Sequence, residues 1–179
     1  SKNLFLSPSD IELADAEIQL ILSVGGDLRL KNKLQPILGQ FDYVLIDCPP
    51  SLGILTINAL TSANSVLIPL QCEYFALEGL TQLLRIINLV RTKLNTSLQI
   101  EGVLLTMFDS RTRLAAQVVQ DVREHFKKQV YDVIIPRNVK LSEAPSFGQP
   151  ISVYDPQSTG AIAYKTLARD LLSRQAAAV

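Results

Sequence analysis

The sequence predicts an α/β fold with a mostly parallel sheet and helices on both faces. Three observations carry this. Short β-branched runs alternate with longer segments of helical period, the grammar of strand–helix–strand units. Two runs, Val44-Leu45-Ile46 and Val66-Leu67-Ile68, are apolar at consecutive positions, as strands covered on both faces are. The 179 residues are 47% hydrophobic and 19% charged, which suffices for one well-filled core, so a single domain over residues 1–179 is expected.

In chain order, strands are expected over Asn3–Ser7, Tyr43–Asp47, Ser65–Leu70, Gly102–Met107 and Val130–Ile135. Between Phe75 and Leu94, the residues Leu80, Leu83, Leu84, Ile87, Val90 and Leu94 recur at spacings of three and four and make one apolar stripe. Over Thr112–Lys128 the apolar positions Leu114, Val118, Val122 and Phe126 recur every four residues, with Arg113, Gln120, Arg123 and Lys127 on the other side. Further helices are expected over Ile11–Val24, Leu28–Leu38, Thr56–Ala63 and Gly160–Leu172. There is no internal repeat or low-complexity linker.

Formal net charge is zero, so binding to a polyanion needs a local patch rather than total charge. Residues 1–108 carry 7 basic and 10 acidic side chains, and residues 109–179 carry 10 basic and 7 acidic, which directs the search to the second part. The two cysteines, Cys48 and Cys72, each end an apolar run and read as buried, reduced thiols of a cytoplasmic protein. No run approaches the ~18 apolar residues of a membrane span, so no membrane partner is expected. His125 stands alone, without a second histidine for a zinc site, and Ser51 lacks the Gly-x-Ser-x-Gly turn of a hydrolase nucleophile. Glu73 and Glu78 flank a helix start, where a carboxylate favours the helix dipole.

Open parallel sheets bind ligands at the carboxyl ends of their strands. The stretch from Phe41 to Ser51, FDYVLIDCPPS, brings Asp47 to such an end, and Pro49-Pro50 stiffens the exit. An acid in this place can serve a hydrated Mg²⁺ or act as a turn or N-cap aspartate, and the local pattern leaves both open.

Taken with the segments QCEYFALEGL from Gln71, GVLLTMFDSRT from Gly102, IIPRNVKLSEAPSFG from Ile134 and YDPQS from Tyr154, this motif resembles the ParA/Soj family of partitioning ATPases. The resemblance runs over essentially the whole chain. It implies a P-loop NTPase-like fold of the deviant-Walker type, ATP and Mg²⁺ as ligands, and a nucleotide-dependent homodimer. It further implies nonspecific DNA binding on the nucleoid and hydrolysis stimulated by a ParB-like protein. By the same resemblance Asp47 corresponds to the Mg²⁺-associated acid, and Thr106, Met107, Pro136 and Asn138 to positions lining the adenine. Pro136 would offer a flat apolar edge and Asn138 an amide able to pair with a purine. Arg113, Arg123 and Lys127, on one helix face in the basic part of the chain, are the candidate DNA contacts; a plain solvated face is the competing reading.

The sequence also departs from the family. It contains no Gly-x-x-x-x-Gly-Lys-Ser/Thr loop, its sole Gly-Gly pair, Gly25-Gly26, is followed by Asp27 and Leu28, and the family's Asp-rich first switch is missing. The expectation is a chain equivalent to about the last two-thirds of a ParA-like domain, lacking the P-loop strand and helix and inactive as an ATPase by itself. Two other readings stand beside it: a nucleotide-free interaction module that keeps the partner and dimer surfaces, and a MinD-like membrane-associated ATPase. The last would need a basic amphipathic C-terminal helix, whereas the chain ends QAAAV.

Overall fold

The computed structural model of the chain describes residues 3–9 and 11–176. Its helices are α1 (Glu12–Leu22), α2 (Arg29–Leu34), α3 (Ile54–Ser62), α4 (Ala76–Lys93), α5 (Arg113–Phe126), α6 (Val139–Glu143), α7 (Ile151–Tyr154) and α8 (Thr159–Ala176). Two strands form among the described residues, β1 (Ser65–Gln71) and β2 (Gln99–Thr106), and they pair with each other. The Gln99 N–H donates to Asn64 O at 3.0 Å and the Cys72 N–H to Thr106 O at 3.0 Å, so both ends match in order and the pair is parallel. With α4 as the crossover this is a β–α–β unit, and the chain is an α/β protein as its sequence predicts.

The chain clusters into two compact units, Ser1–Ser65 with Leu83–Gln99, and Val66–Gln82 with Ile100–Val179. In the first, α1 ends at a turn where Gly25 adopts the left-handed conformation, with φ of 69°. A side chain at Gly26 would overlap the Leu20 carbonyl, so the Gly-Gly pair is spent on this close turn. Asn58 of α3 then secures it: buried, it accepts from the Leu30 N–H at 3.0 Å and donates to Gly26 O at 2.8 Å and Ile54 O at 3.0 Å. Asn95, also buried, donates to Leu60 O at 3.0 Å and Ala63 O at 2.7 Å, satisfying carbonyls that the end of α3 leaves open.

In the second unit Gly102, Val103, Leu104 and Leu105 of β2 are buried in succession, the mark of a strand covered on both faces. Leu104 packs in a cluster with Tyr131, Ile135, Ala163 and Leu167, which seats α8 on one of those faces. Gly102 is fixed by close approach: a Cβ there would lie 2.7 Å from a Tyr131 ring carbon and 2.8 Å from Gln129 O. Arg174 of α8 stacks on the other part of that assembly, its guanidinium 3.9 Å from the Tyr131 ring centroid. The helix α5 starts where Thr112 Oγ1 accepts from the Ala115 N–H at 3.3 Å, an N-cap.

Three expected strands are corrected. Val130–Ile135 runs parallel to β2, with the Tyr131 N–H donating to Val103 O at 3.0 Å and the Ile135 N–H to Leu105 O at 2.9 Å. It forms only bridges, Val103 with Val130 and Phe108 with Pro136. Between the two bridges this run carries one more residue than β2, and a bend at Asp132 takes up the excess and interrupts the ladder. Asn3–Ser7 and Tyr43–Asp47 form no strand, and among the described residues neither has a paired neighbour. An apolar run becomes a strand only when another strand accepts its backbone groups. The helical expectations hold to within a few residues, except that Leu28–Leu38 contains only the short α2.

Asn95→Ala should destabilise the chain by about 1–3 kcal/mol in urea unfolding, because two inward carbonyls lose their donor at once. Ser97→Ala, which removes only the hydroxyl that donates to Asn95 Oδ1 at 2.9 Å, should cost less. Equal costs would show that Asn95 does not close the end of α3.

Candidate functional site

At the carboxyl end of β2 the chain turns sharply at Met107, which holds φ of 54°, a region that non-glycine residues seldom occupy. Phe108 then pairs with Pro136 across the strand ends, with the Phe108 N–H donating to Ile135 O at 3.2 Å and the Arg137 N–H to Phe108 O at 2.9 Å. In this parallel register Pro136 lies between the two bonded residues, so its missing N–H costs the pairing nothing, and the pairing ends with the Arg137 bond. Between the two segments opens a cleft of about 520 Å³, lined by Phe108 to Arg111 on one side and by Pro136, Arg137 and Val139 on the other.

The Asp109 carboxylate is clamped by Arg111, whose Nε donates to Oδ1 at 2.8 Å and Nη2 to Oδ2 at 2.6 Å. The Arg111 backbone N–H adds a third bond to Oδ1 at 3.0 Å. The Arg111 side-chain and backbone hydrogen bonds hold Asp109 well below the usual carboxylate range, so one wall of the cleft carries a fixed ion pair. Asn138, which is not among the residues lining the cleft, caps α6, accepting from the Lys140 N–H at 2.8 Å, while its Nδ2 donates to Thr159 Oγ1 at 2.7 Å. One N–H and one lone pair of the amide remain beyond these two bonds. At the end of α6, Glu143 Oε2 accepts from Lys140 Nζ at 2.9 Å and from the Tyr154 hydroxyl at 3.0 Å, and Tyr154 stacks on Phe147 with ring centroids 5.0 Å apart.

Of the residues singled out from the sequence, Thr106 and Met107 therefore lie at the end of β2, and Pro136 and Asn138 on the segment facing it. The sequence reading missed the Asp109–Arg111 clamp and the share of Arg137 in the lining, although the i,i+2 spacing of acid and arginine was visible. Asp47 belongs to the first unit, exposed in the extended stretch before Pro49. Its neighbour Cys48 has its thiol pKa raised, first by desolvation and then by the Asp47 charge. Arg113, Arg123 and Lys127 are all exposed, and at 100° per residue they span roughly 80° of helical arc. Arg123 also donates to Asp132 O at 3.2 Å, and Lys127 lies just past the end of α5.

Residues 1–100 match the family model of an AAA domain. The chain is 55% identical over 170 residues to the sporulation initiation inhibitor protein Soj of Bacillus subtilis, covering 95% of this chain and 67% of that protein. It is 56% identical over 167 residues to the chromosome partitioning protein ParA of Myxococcus xanthus, covering 93% of this chain and 59% of that one. The chain belongs to the ParA/Soj family. Among solved structures, it is similar to cobyrinic acid a,c-diamide synthase of Mycobacterium smegmatis with bound ADP and magnesium, with a TM-score of 0.79 and 39% identity over 96% of this chain and 63% of that one. The chain thus spans about two-thirds of the length of these ParA/Soj relatives or less.

The two thiols of this ParA/Soj chain should be distinguishable. Burial pushes Cys72 up to about 11, as expected of a buried thiol, whereas Cys48, also expected to be buried, is exposed because the 43–47 run before it forms no strand. At pH 8 a small disulfide reagent should modify Cys48 in the native chain and reach Cys72 only after unfolding. Because the Asp47 charge raises the Cys48 pKa, Asp47→Asn should lower it, increase the thiolate fraction at pH 8 and speed that reaction. An unchanged rate would separate the Asp47 carboxylate from the Cys48 thiol.

Proposed function

We propose that the chain is the larger part of a ParA-like ATPase of DNA segregation. It binds ATP with Mg²⁺, dimerises in that state, binds DNA without sequence preference on the nucleoid in the cytoplasm, and is switched off by a ParB-like protein. The observation that carries this reading is the cleft at the carboxyl end of β2, where open α/β sheets bind ligands, in a chain more than half identical to chromosome partitioning proteins. In this reading Thr106, Met107, Pro136 and Asn138 border the adenine. Pro136 supplies the flat edge, and the remaining amide capacity of Asn138 reads the base while its capping bonds hold it in place. Met107 in its left-handed conformation turns the chain out of β2 at the rim of the site.

Mg²⁺ keeps part of its water shell and takes one or two carboxylates together with phosphate oxygens. An exposed Asp47 suits that sparse donor set, and among the described residues no group of three acidic, histidine or cysteine side chains offers an all-protein cage. When bound, the ion would neutralise charge on the phosphates. No membrane step is included, and among the described residues no helix is long and apolar enough to cross a bilayer.

A second reading, a nucleotide-free interaction module, is favoured by one observation. These 179 residues contain no phosphate-binding glycine loop, and Gly25-Gly26 closes the turn after α1. Calorimetric titration of the chain with Mg-ATP should show at best weak binding and no turnover, since no nest of backbone N–H groups or lysine holds the triphosphate. Joined to the third of Bacillus subtilis Soj that it does not span, the chain should bind and hydrolyse ATP. Asp47→Ala should then abolish Mg²⁺-dependent hydrolysis with the fold intact. A joined chain that binds no nucleotide would establish the module reading instead.

The exposed face of α5 is the proposed DNA surface. In the joined protein with ATP, Arg123→Glu with Lys127→Glu should weaken binding to any sequence and flatten the slope of log K against log salt by roughly 2 units, leaving ATP binding unchanged. Fluorescence anisotropy over a salt series measures both quantities. An unchanged affinity and slope would transfer the contact to Lys140 and Lys165.

A further inference from the structure

The side-chain amide of Asn138 is fixed in one orientation. Its Oδ1 accepts from the Lys140 N–H at 2.8 Å, and its Nδ2 donates to Thr159 Oγ1 at 2.7 Å. A backbone N–H can only donate, so the oxygen of the amide must face Lys140 and the nitrogen must face elsewhere. Turning the amide over would set two donors, Nδ2 and the Lys140 N–H, against each other. The Thr159 hydroxyl then holds the nitrogen end, so the amide is secured on both sides.

Thr159 reaches Asn138 because α8 is seated closely on α6. A Cβ at Gly160 would lie 2.6 Å from Leu141 Cγ, so a side chain there would displace Leu141 and part the two helices. Leu141 in turn packs against the cluster that contains Ala163 and Leu167 of α8. The Thr159 hydroxyl is not needed to start α8. The preceding residue does that: Ser158 Oγ accepts from the Ala161 N–H at 3.2 Å. Thr159 is exposed, and its hydroxyl serves Asn138.

The orientation of an amide matters to a purine. Adenine presents a donor, its 6-amino group, beside an acceptor ring nitrogen, whereas a 6-oxo purine presents an acceptor at position 6. An amide with one N–H and one lone pair to spare pairs with either base if it is free to turn over. Held in one orientation, it pairs well with only one of them. We infer that Thr159 is the positioning residue for base selection: by keeping the Asn138 amide on its cap, it makes this chain prefer a 6-amino purine nucleotide to a 6-oxo one. The inference rests on the proposed function, in which Asn138 meets the base, and adds to it a residue and a specificity. Without Thr159 Oγ1 the cap bond alone holds the amide, which can then leave Lys140, swing about its Cβ–Cγ bond and present its other end.

A first measurement needs no nucleotide. In the 179-residue chain, nuclear magnetic resonance should show the Asn138 Nδ2 protons exchanging with water about twofold faster or more in Thr159→Val, and Thr159→Ser, which keeps the hydroxyl, should restore the slower rate. The second measurement uses the chain joined to the third of Bacillus subtilis Soj that it does not span, with Mg-ATP and Mg-ITP as substrates. Their bases differ only in the 6 substituent and the N1 proton. Thr159→Val should raise KM for ATP about threefold and lower KM for ITP by a similar factor, so that the ratio of their kcat/KM values falls about tenfold while kcat for ATP is unchanged. Thr159→Ser should restore the ratio. Thr166→Val, which removes an α8 hydroxyl that donates to Ile162 O of its own helix at 3.0 Å, should leave it as it was. Circular dichroism on each variant confirms that the chain remains folded. An exchange rate indifferent to Thr159→Val, or a ratio that does not fall in a joined chain that hydrolyses ATP, would overturn the inference and leave the proposed function standing. A joined chain that binds no nucleotide would overturn the proposed function and the base-selecting role with it.

Discussion

Backbone pairing along both edges of β2 is the constraint on which the candidate cleft depends. One edge takes β1 and the other the Val130–Pro136 run, whose bonds at Tyr131 and Ile135 hold it parallel to the strand. The second pairing requires Gly102, since any side chain there would push into Tyr131 and Gln129. With Tyr131 seated, Arg174 lies over its ring and donates to Val130 O at 3.4 Å, which anchors the far end of α8. The near end of α8 begins at Thr159, and Thr159 accepts from Asn138, the residue between the cleft-lining Arg137 and Val139. A missing methyl in mid-strand is thus linked through packed groups to the amide that caps α6.

This linkage explains which parts were legible in the sequence. The strands at Ser65 and Gly102 announced themselves as apolar runs and formed close to where they were expected, because each has the other to pair with. The run at Tyr43 is just as apolar and formed no strand, since strand formation depends on a partner that local composition does not reveal. The same holds within the site. Only the family resemblance pointed Pro136 and Asn138 to a flat ring, the residue types alone reading as turn residues, and only the folded backbone shows Asn138 already committed at both ends of its amide to Lys140 and Thr159. The left-handed backbone at Met107 had no signal, because methionine has no preference for that conformation. The short helices α6 and α7 span too few residues to display a period, so they were missed for want of a pattern rather than misread.

The two units differ in how well their levels of organisation agree. In the second, composition, pairing and burial point the same way: the apolar positions of β2 and the inner face of α5 are covered, and the charges of α5 lie outside. In the first, the backbone is well tied by Asn58 and Asn95, so its shape is secured by buried amides rather than by a sheet. The apolar side chains of α1 and of the Tyr43 run take no part in that tying. A surface role gives no reason for Ile18, Leu22 and Leu45 to be apolar, whereas a buried one does.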